Sequence, residues 1–173
     1  MALLEIVTYP DKRLREKSKP IEKVDEKVLK LIDDMIDTMY EHQGLGLSAI
    51  QVGEPLRLFI IDWNQRETGE QDREKVFVFI NPIVTDLKDK TIMENEGCLS
   101  LPGIRADVER YNRCKVEALD RNGEKFLMEA EDMLAIAIQH ENDHLDGILY
   151  IDRISRFKRN FLLKKYSKLR KRG

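Results

Sequence analysis

The sequence predicts an α+β fold: antiparallel strands gathered around a central helix that carries a histidine pair, with a further helix at the C-terminus. Three observations point there. Short apolar or alternating runs cluster between residues 57 and 129. A helical stripe bearing His140 and His144 follows that cluster. Helical patterns stand before and after the strands instead of alternating with them, which disfavours a parallel sheet.

The elements follow in order. Asp25 is placed to cap a first helix, in which Val28, Leu29, Ile32, Met35, Ile36 and Met39 recur at helical spacing. Gly44 is its expected stop, and His42 is expected to cap its last carbonyls. Strands are expected over residues 57–62, 76–80, 83–86, 106–109, 114–119 and 125–129. The polar stretch 64–75 reads as an exposed loop, and Asp120-Arg121-Asn122-Gly123 as a hairpin turn. Met133, Ile136, Ala137, His140 and His144 share one stripe of the central helix. In the last helix Phe157, Phe161, Leu162, Tyr166 and Leu169 fall to one side, with lysines and arginines around them.

Composition sets bounds on function. A length of 173 residues suits one domain over residues 1–173, with 155–173 a basic C-terminal helix. The hydrophobic share of 42% is enough for a core, and the net charge of -2 is near balance. That balance is uneven, because no acidic residue follows Asp152 while cations crowd the same stretch. Residues 1–7 lack the basic start and apolar run of a signal peptide, and no apolar run reaches spanning length. Cys98 and Cys114 are too few for a disulfide framework. A reducing cytoplasm without membrane attachment is the expected setting.

The chemistry is concentrated in His140-Glu141-Asn142-Asp143-His144. Residues four apart lie on one helix face, so the two imidazoles can meet one cation. Glu141 is offset toward a water instead of the cation, as in other H-E-x-x-H helices. This makes the central helix the metal-binding one. A catalytic site needs a third protein ligand and an open position. A histidine six residues on is ruled out by Tyr150, and no glutamate follows Glu141. Cys98, in the irregular segment Glu96-Gly97-Cys98-Leu99-Ser100, is the best remaining donor, whereas Cys114 falls in a strand pattern and reads as packing. Two imidazoles and a thiolate would suit zinc. The motif alone is also compatible with a zincin-type peptidase, and a closed four-ligand site would suit a structural metal in an RNA-binding module.

The order Gly44-Leu45-Gly46-Leu47-Ser48-Ala49-Ile50-Gln51, Glu96-Gly97-Cys98-Leu99-Ser100 and Gln139-His140-Glu141-Asn142-Asp143-His144-Leu145-Asp146-Gly147 resembles the peptide deformylases. Two positions depart from the family pattern: Ser48 replaces the usual alanine, and Ile50 stands where proline or threonine is common. Both are expected to affect only local packing behind Gln51. The resemblance implies hydrolysis of the N-formyl group of initiator formyl-methionine on nascent polypeptides, with release of formate. It implies Fe2+ at Cys98, His140 and His144, with zinc, nickel or cobalt able to substitute. A water activated by that metal would attack the formyl carbon. Glu141 would act as general acid/base, and the Gln51 amide and the Leu99 backbone N–H would stabilise the oxyanion.

Gly46 would let a peptide approach its backbone. Leu45, Met133, Ile136 and Ala137 are either methionine-pocket lining or ordinary core, and Arg105 either pairs with Glu96 or meets substrate. The basic C-terminal helix is either a docked surface helix or a contact to ribosomal RNA, the partner the family suggests.

Overall fold

Five strands form one antiparallel sheet in sequence order, a meander in which each strand pairs with the next. The computed structural model describes residues 2–172. Gly173, the last residue of the expected C-terminal helix, lies outside them. In chain order the regular elements are α1 (Glu26–Glu41), β1 (Gly46–Ser48), β2 (Leu58–Ile61), α2 (Trp63–Thr68), β3 (Phe77–Glu96), β4 (Ala106–Leu119), β5 (Lys125–Glu131), α3 (Asp132–Leu145) and α4 (Arg156–Arg172). The α+β architecture is as predicted.

Helix α1 begins where its cap predicts, with the Asp25 carboxylate accepting from the Val28 N–H at 3.0 Å. Its end differs. The helix stops at Glu41, His42 caps the Thr38 carbonyl through Nδ1 at 2.9 Å, and Gln43, not Gly44, takes the left-handed conformation at φ 56°. The stretch 64–75, expected as loop, contains α2 and a 3-10 turn at Arg73–Lys75. Asp62 accepts from the Gln65 N–H and Gly69 closes the helix in the left-handed region, so both caps were in the sequence around a polar, exposed helix.

The strands also differ in length. Residues 77–80 and 83–86 belong to one strand, β3, with Val76 just before it, and residues 106–109 and 114–119 to another, β4. In β3 the break is a bulge, whereas in β4 residues 110–113 simply continue the ladder. Register shifts fall between Ile80 and Ile83, Thr85 and Lys88, and Met93 and Glu96. Asn81, Asp86, Asp89 and Asn95 adopt positive φ within β3. Asparagine and aspartate are the non-glycine residues that tolerate this region best, so the strand bends without ending. The hairpin at Asp120–Gly123 forms as expected, with the Asp120 carboxylate accepting from the Asn122 and Glu124 N–H groups.

Helix α3 crosses the sheet. Ala135, Ile138 and Leu145 bury against Phe59, Phe79 and Val116, and the other side faces the cleft. The Gln139 amide clamps the helix to β4, accepting from the Tyr111 N–H at 2.9 Å and donating to the Tyr111 carbonyl at 2.6 Å. Gly147, just past α3, has φ 75°, and a Cβ there would lie 2.5 Å from the Arg15 carbonyl oxygen. A side chain at this position is therefore excluded by both strain and space. Helix α1 packs on the apolar residues of β1 and β2, chiefly Leu47, Leu58 and Ile60.

A third cluster, with Leu14, Leu101, Ile104, Tyr150 and Tyr166, lies beneath α4 and supports the segment after Cys98. Helix α4 docks through Leu162, Leu163 and Tyr166. Phe157 and Phe161, on the same side in the sequence pattern, are 82% and 67% exposed. The anchor is the inward Tyr166, whose hydroxyl donates to the Tyr9 carbonyl at 2.7 Å. Among the described residues, no helix is long and apolar enough to cross a membrane.

Candidate metal centre

Two elements bring the predicted ligands together. His140 and His144 lie one turn apart on α3, with ring centroids 5.0 Å apart. Cys98 enters from the far end of β3, where the Asn95 bulge turns the chain out of the sheet. One donor atom from each of Cys98, His140 and His144 lies within 4.8 Å of the others, and the Cys98 sulfur is 3.4 Å from His144 Nε2. Cys114, assigned to packing, is buried in the core against α3.

The electrostatics of this cluster favour a cation. Burial opposes a charged His140, yet the adjacent Cys98, Glu96 and Glu141 outweigh it, so His140 holds its proton well above the ordinary histidine range. Burial, then His140 and Arg110, push His144 well below that range, leaving it a neutral imidazole. A proton therefore occupies a place that a metal ion would take, and a thiolate with two imidazoles is a donor set that divalent transition metals accept. The Nδ1 atom of His140 faces Glu96 Oε2 at 3.6 Å, the side from which a carboxylate orients a ligating imidazole. The residues fit a metal.

Glu141 lies beside this cluster on the cleft side. Burial, the main influence, raises its carboxyl above the ordinary value of 4.5, against the opposing charge of His140 and the Ser48 hydrogen bond. A raised carboxyl is suited to taking and returning a proton near neutrality. Gln51 is fixed at both ends of its amide. Its Oε1 accepts from the Ser48 N–H at 3.0 Å, so its Nε2 is the group turned to the site, 3.5 Å from the Cys98 sulfur and 3.1 Å from Ser100 Oγ.

A cleft of about 380 Å³ opens over these groups. Leu45, Gly46, Gln51, Cys98, Leu99, Arg105, Met133, Ile136, Ala137, His140 and Glu141 all line it, while His144 sits behind the wall. Every residue singled out in the sequence thus reaches one place. Of the two readings of Arg105, the pair with Glu96 does not form. The Arg105 guanidinium donates to the Asn95 carbonyl at 3.1 Å, at the cleft rim.

Glu96 belongs to Arg110, which sequence reading missed. Arg110 Nε and Nη2 donate to Glu96 at 3.0 and 2.8 Å, and Nη1 donates to Asp143 at 2.7 Å. Arg153 closes the other side of Asp143 with bonds of 2.7 and 2.8 Å. Burial would raise the Glu96 carboxyl, but its hydrogen bonds and charge contacts with His140 and Arg110 outweigh it and hold it down at about 2. A signal was present: Arg110 alternates in phase with the inward Val108, and a cation on a buried strand face requires a carboxylate partner.

A family profile described as polypeptide deformylase matches residues 3–160. The chain belongs to the polypeptide deformylase family. A peptide deformylase of Neisseria meningitidis is 47% identical over 99% of this chain and 98% of its own length. The crystal structure of a peptide deformylase from Legionella pneumophila superposes with a TM-score of 0.90, at 39% identity, over 98% of this chain and 96% of that one. The peptide deformylase of Ehrlichia chaffeensis, solved in complex with actinonin, gives a TM-score of 0.87 at 40% identity, covering 97% of this chain and 98% of that one. The chain is accordingly an enzyme, a hydrolase of the deformylase family. That family is metal-dependent, and the thiolate–imidazole cluster is this deformylase's candidate metal site.

Proposed function

We propose that this enzyme removes the N-formyl group from the initiator formyl-methionine of nascent polypeptides and releases formate. The observation that carries the reading is the buried Glu141 carboxylate beside a three-donor cluster, on the wall of a cleft that also holds Gln51. Cys98, His140 and His144 would hold the metal, and Fe2+ is the proposed resident, with zinc, nickel and cobalt suited to the same donors. When bound, the metal supplies Lewis-acid chemistry, lowering the pKa of a water and polarising the formyl oxygen.

The chain's own groups do the rest. Glu141 accepts the proton of the attacking water and later gives it to the leaving amine. The Gln51 Nε2–H, and the Leu99 N–H in the same wall, donate to the oxygen on which charge develops. Losing one such donor costs about 3–4 kcal/mol of transition-state stabilisation. Leu45, Met133, Ile136 and Ala137 take the methionine side chain. Gly46 admits the peptide backbone, and Arg105 meets the chain further along. Residues 1–173 act as one catalytic unit in the cytoplasm. The basic segment 155–173, whose helix α4 turns Phe157 and Phe161 to solvent, approaches ribosomal RNA through its phosphates.

Anaerobically iron-loaded protein is expected to release stoichiometric formate from a formyl-Met-Ala-Ser peptide and to leave the unformylated peptide intact. Absence of formate, or cleavage between the amino acids, would remove the reading. Cys98→Ala is expected to lose bound metal by elemental analysis, since two imidazoles remain from a three-donor set, and to unfold at nearly the wild-type temperature once both proteins are metal-free. Unchanged metal content would take Cys98 out of the site.

A further inference from the structure

We propose that Ser48 is a positioning residue for Glu141, holding the carboxylate in the one orientation from which it exchanges protons with the cleft; this rests on the reading of Glu141 as the acid/base. Gly46 and Ser48 are alternate residues of β1 and so face the same side, toward α3. The Ser48 hydroxyl lies 2.9 Å from Glu141 Oε1 and 3.0 Å from the Glu141 carbonyl oxygen. Ser48 is 0% exposed, so no solvent competes for that hydroxyl. On the other side, a Cβ at Gly46 would sit 2.8 Å from Glu141 Oε2 and 3.2 Å from Cδ. The carboxylate is therefore pressed against the Gly46 backbone through one oxygen and tied to Ser48 through the other.

The turn leaves the hydroxyl's own proton for α3. Ser48 opens the 3-10 turn Ala49–Val52, where a serine side chain ordinarily accepts from the turn's own N–H groups. Here its proton points across to α3, and Gln51 Oε1 takes the Ser48 N–H. One residue thus orients both proposed catalytic groups: its backbone sets the Gln51 amide and its side chain sets Glu141. An alanine, the usual residue of the family pattern at this place, keeps the backbone contact and loses only the second. Ser48→Ala therefore isolates the side chain without threatening the fold.

In steady-state assays Ser48→Ala is expected to lower kcat by about three- to tenfold with KM unchanged within about twofold, as for loss of one ordinary hydrogen bond that matters in the transition state. Ser48→Thr, which keeps the hydroxyl, should restore kcat to within about twofold of wild type. A crystal structure of the Ser48→Ala protein should show the Glu141 carboxylate spread over more than one rotamer. With Glu141→Asp the carboxylate retreats by a methylene from Ser48, so adding Ser48→Ala should cost nothing more. An unchanged kcat, a KM that rises in step with the loss, a single unmoved Glu141 rotamer, or the same loss in both backgrounds would overturn the assignment. If Glu141→Asp itself leaves kcat untouched, the acid/base reading fails and takes this one with it. If Glu141→Asp is crippled while Ser48→Ala is silent, only Ser48 is removed.

Discussion

Glu141→Ala is expected to keep its metal and lose about 10³–10⁴-fold in kcat, the upper part of the range for a general acid/base. The upper part applies because nothing nearby can substitute. Glu96, the other carboxylate lining the cleft, is tied to Arg110 and held at about 2, so it carries no proton to give near neutrality. His140 and His144 are committed to the donor cluster. Glu141→Gln, which keeps the shape and an acceptor for the Ser48 hydroxyl, should lose as much, separating proton transfer from packing.

The same substitutions should not destabilise the metal-free protein. A carboxyl whose folded value lies above its ordinary 4.5 favours the folded state only at low pH, and that contribution is lost as pH rises through the folded value. Once pH exceeds that folded value, the ionised Glu141 is a burden on stability. Metal-free Glu141→Gln should melt at or above the wild-type temperature at pH 7. Formate release at more than about a tenth of the wild-type rate by either variant would remove Glu141 from the chemistry.

The order of these elements was largely legible, because hydrophobic period and caps are local properties. Asp25, the 120–123 turn and the His140–His144 stripe each announce an element within a few residues. The bulged strand β3 was not legible as one piece. Asn81, Asp86 and Asn95 look like breakers in a linear reading, and only pairing with β4 shows that the ladder resumes beyond each of them. The candidate donor triad could be reached by elimination, since few histidines and cysteines were available. The groups that set its geometry could not. Ser48 reads as a small residue in a loop until α3 is laid across β1, and Arg110 reads as one more surface cation until its strand phase is compared with Val108. Residues that act by contacting another residue distant in sequence leave little trace in their own neighbourhood.

Arg110 carries the largest expected effect on stability. It is only 2% exposed, and its side chain is the cation between Glu96 and Asp143. Arg110→Ala leaves the buried Glu96 carboxylate with only His140 beside it and Asp143 with Arg153 alone. Removing one member of a buried ionic cluster destabilises by about 3–5 kcal/mol, mostly through the uncompensated charge left behind.

The loss should depend on pH in a determined direction. The Glu96 carboxyl is depressed from its ordinary 4.5 to about 2 in the folded protein, so it contributes stability above 4.5 that disappears as pH falls toward 2. The gap between wild type and Arg110→Ala in urea unfolding should thus be widest near pH 7 and shrink by pH 3. Glu96→Gln in the Arg110→Met background removes the stranded charge and should recover part of the loss. Because Glu96 faces His140 Nδ1, Arg110→Ala should also weaken metal binding by about 10- to 100-fold, the usual effect of disturbing a group that orients a ligand. Equal destabilisation at both pH values, or full metal affinity in the variant, would mean that the buried cluster does not hold the histidine in place.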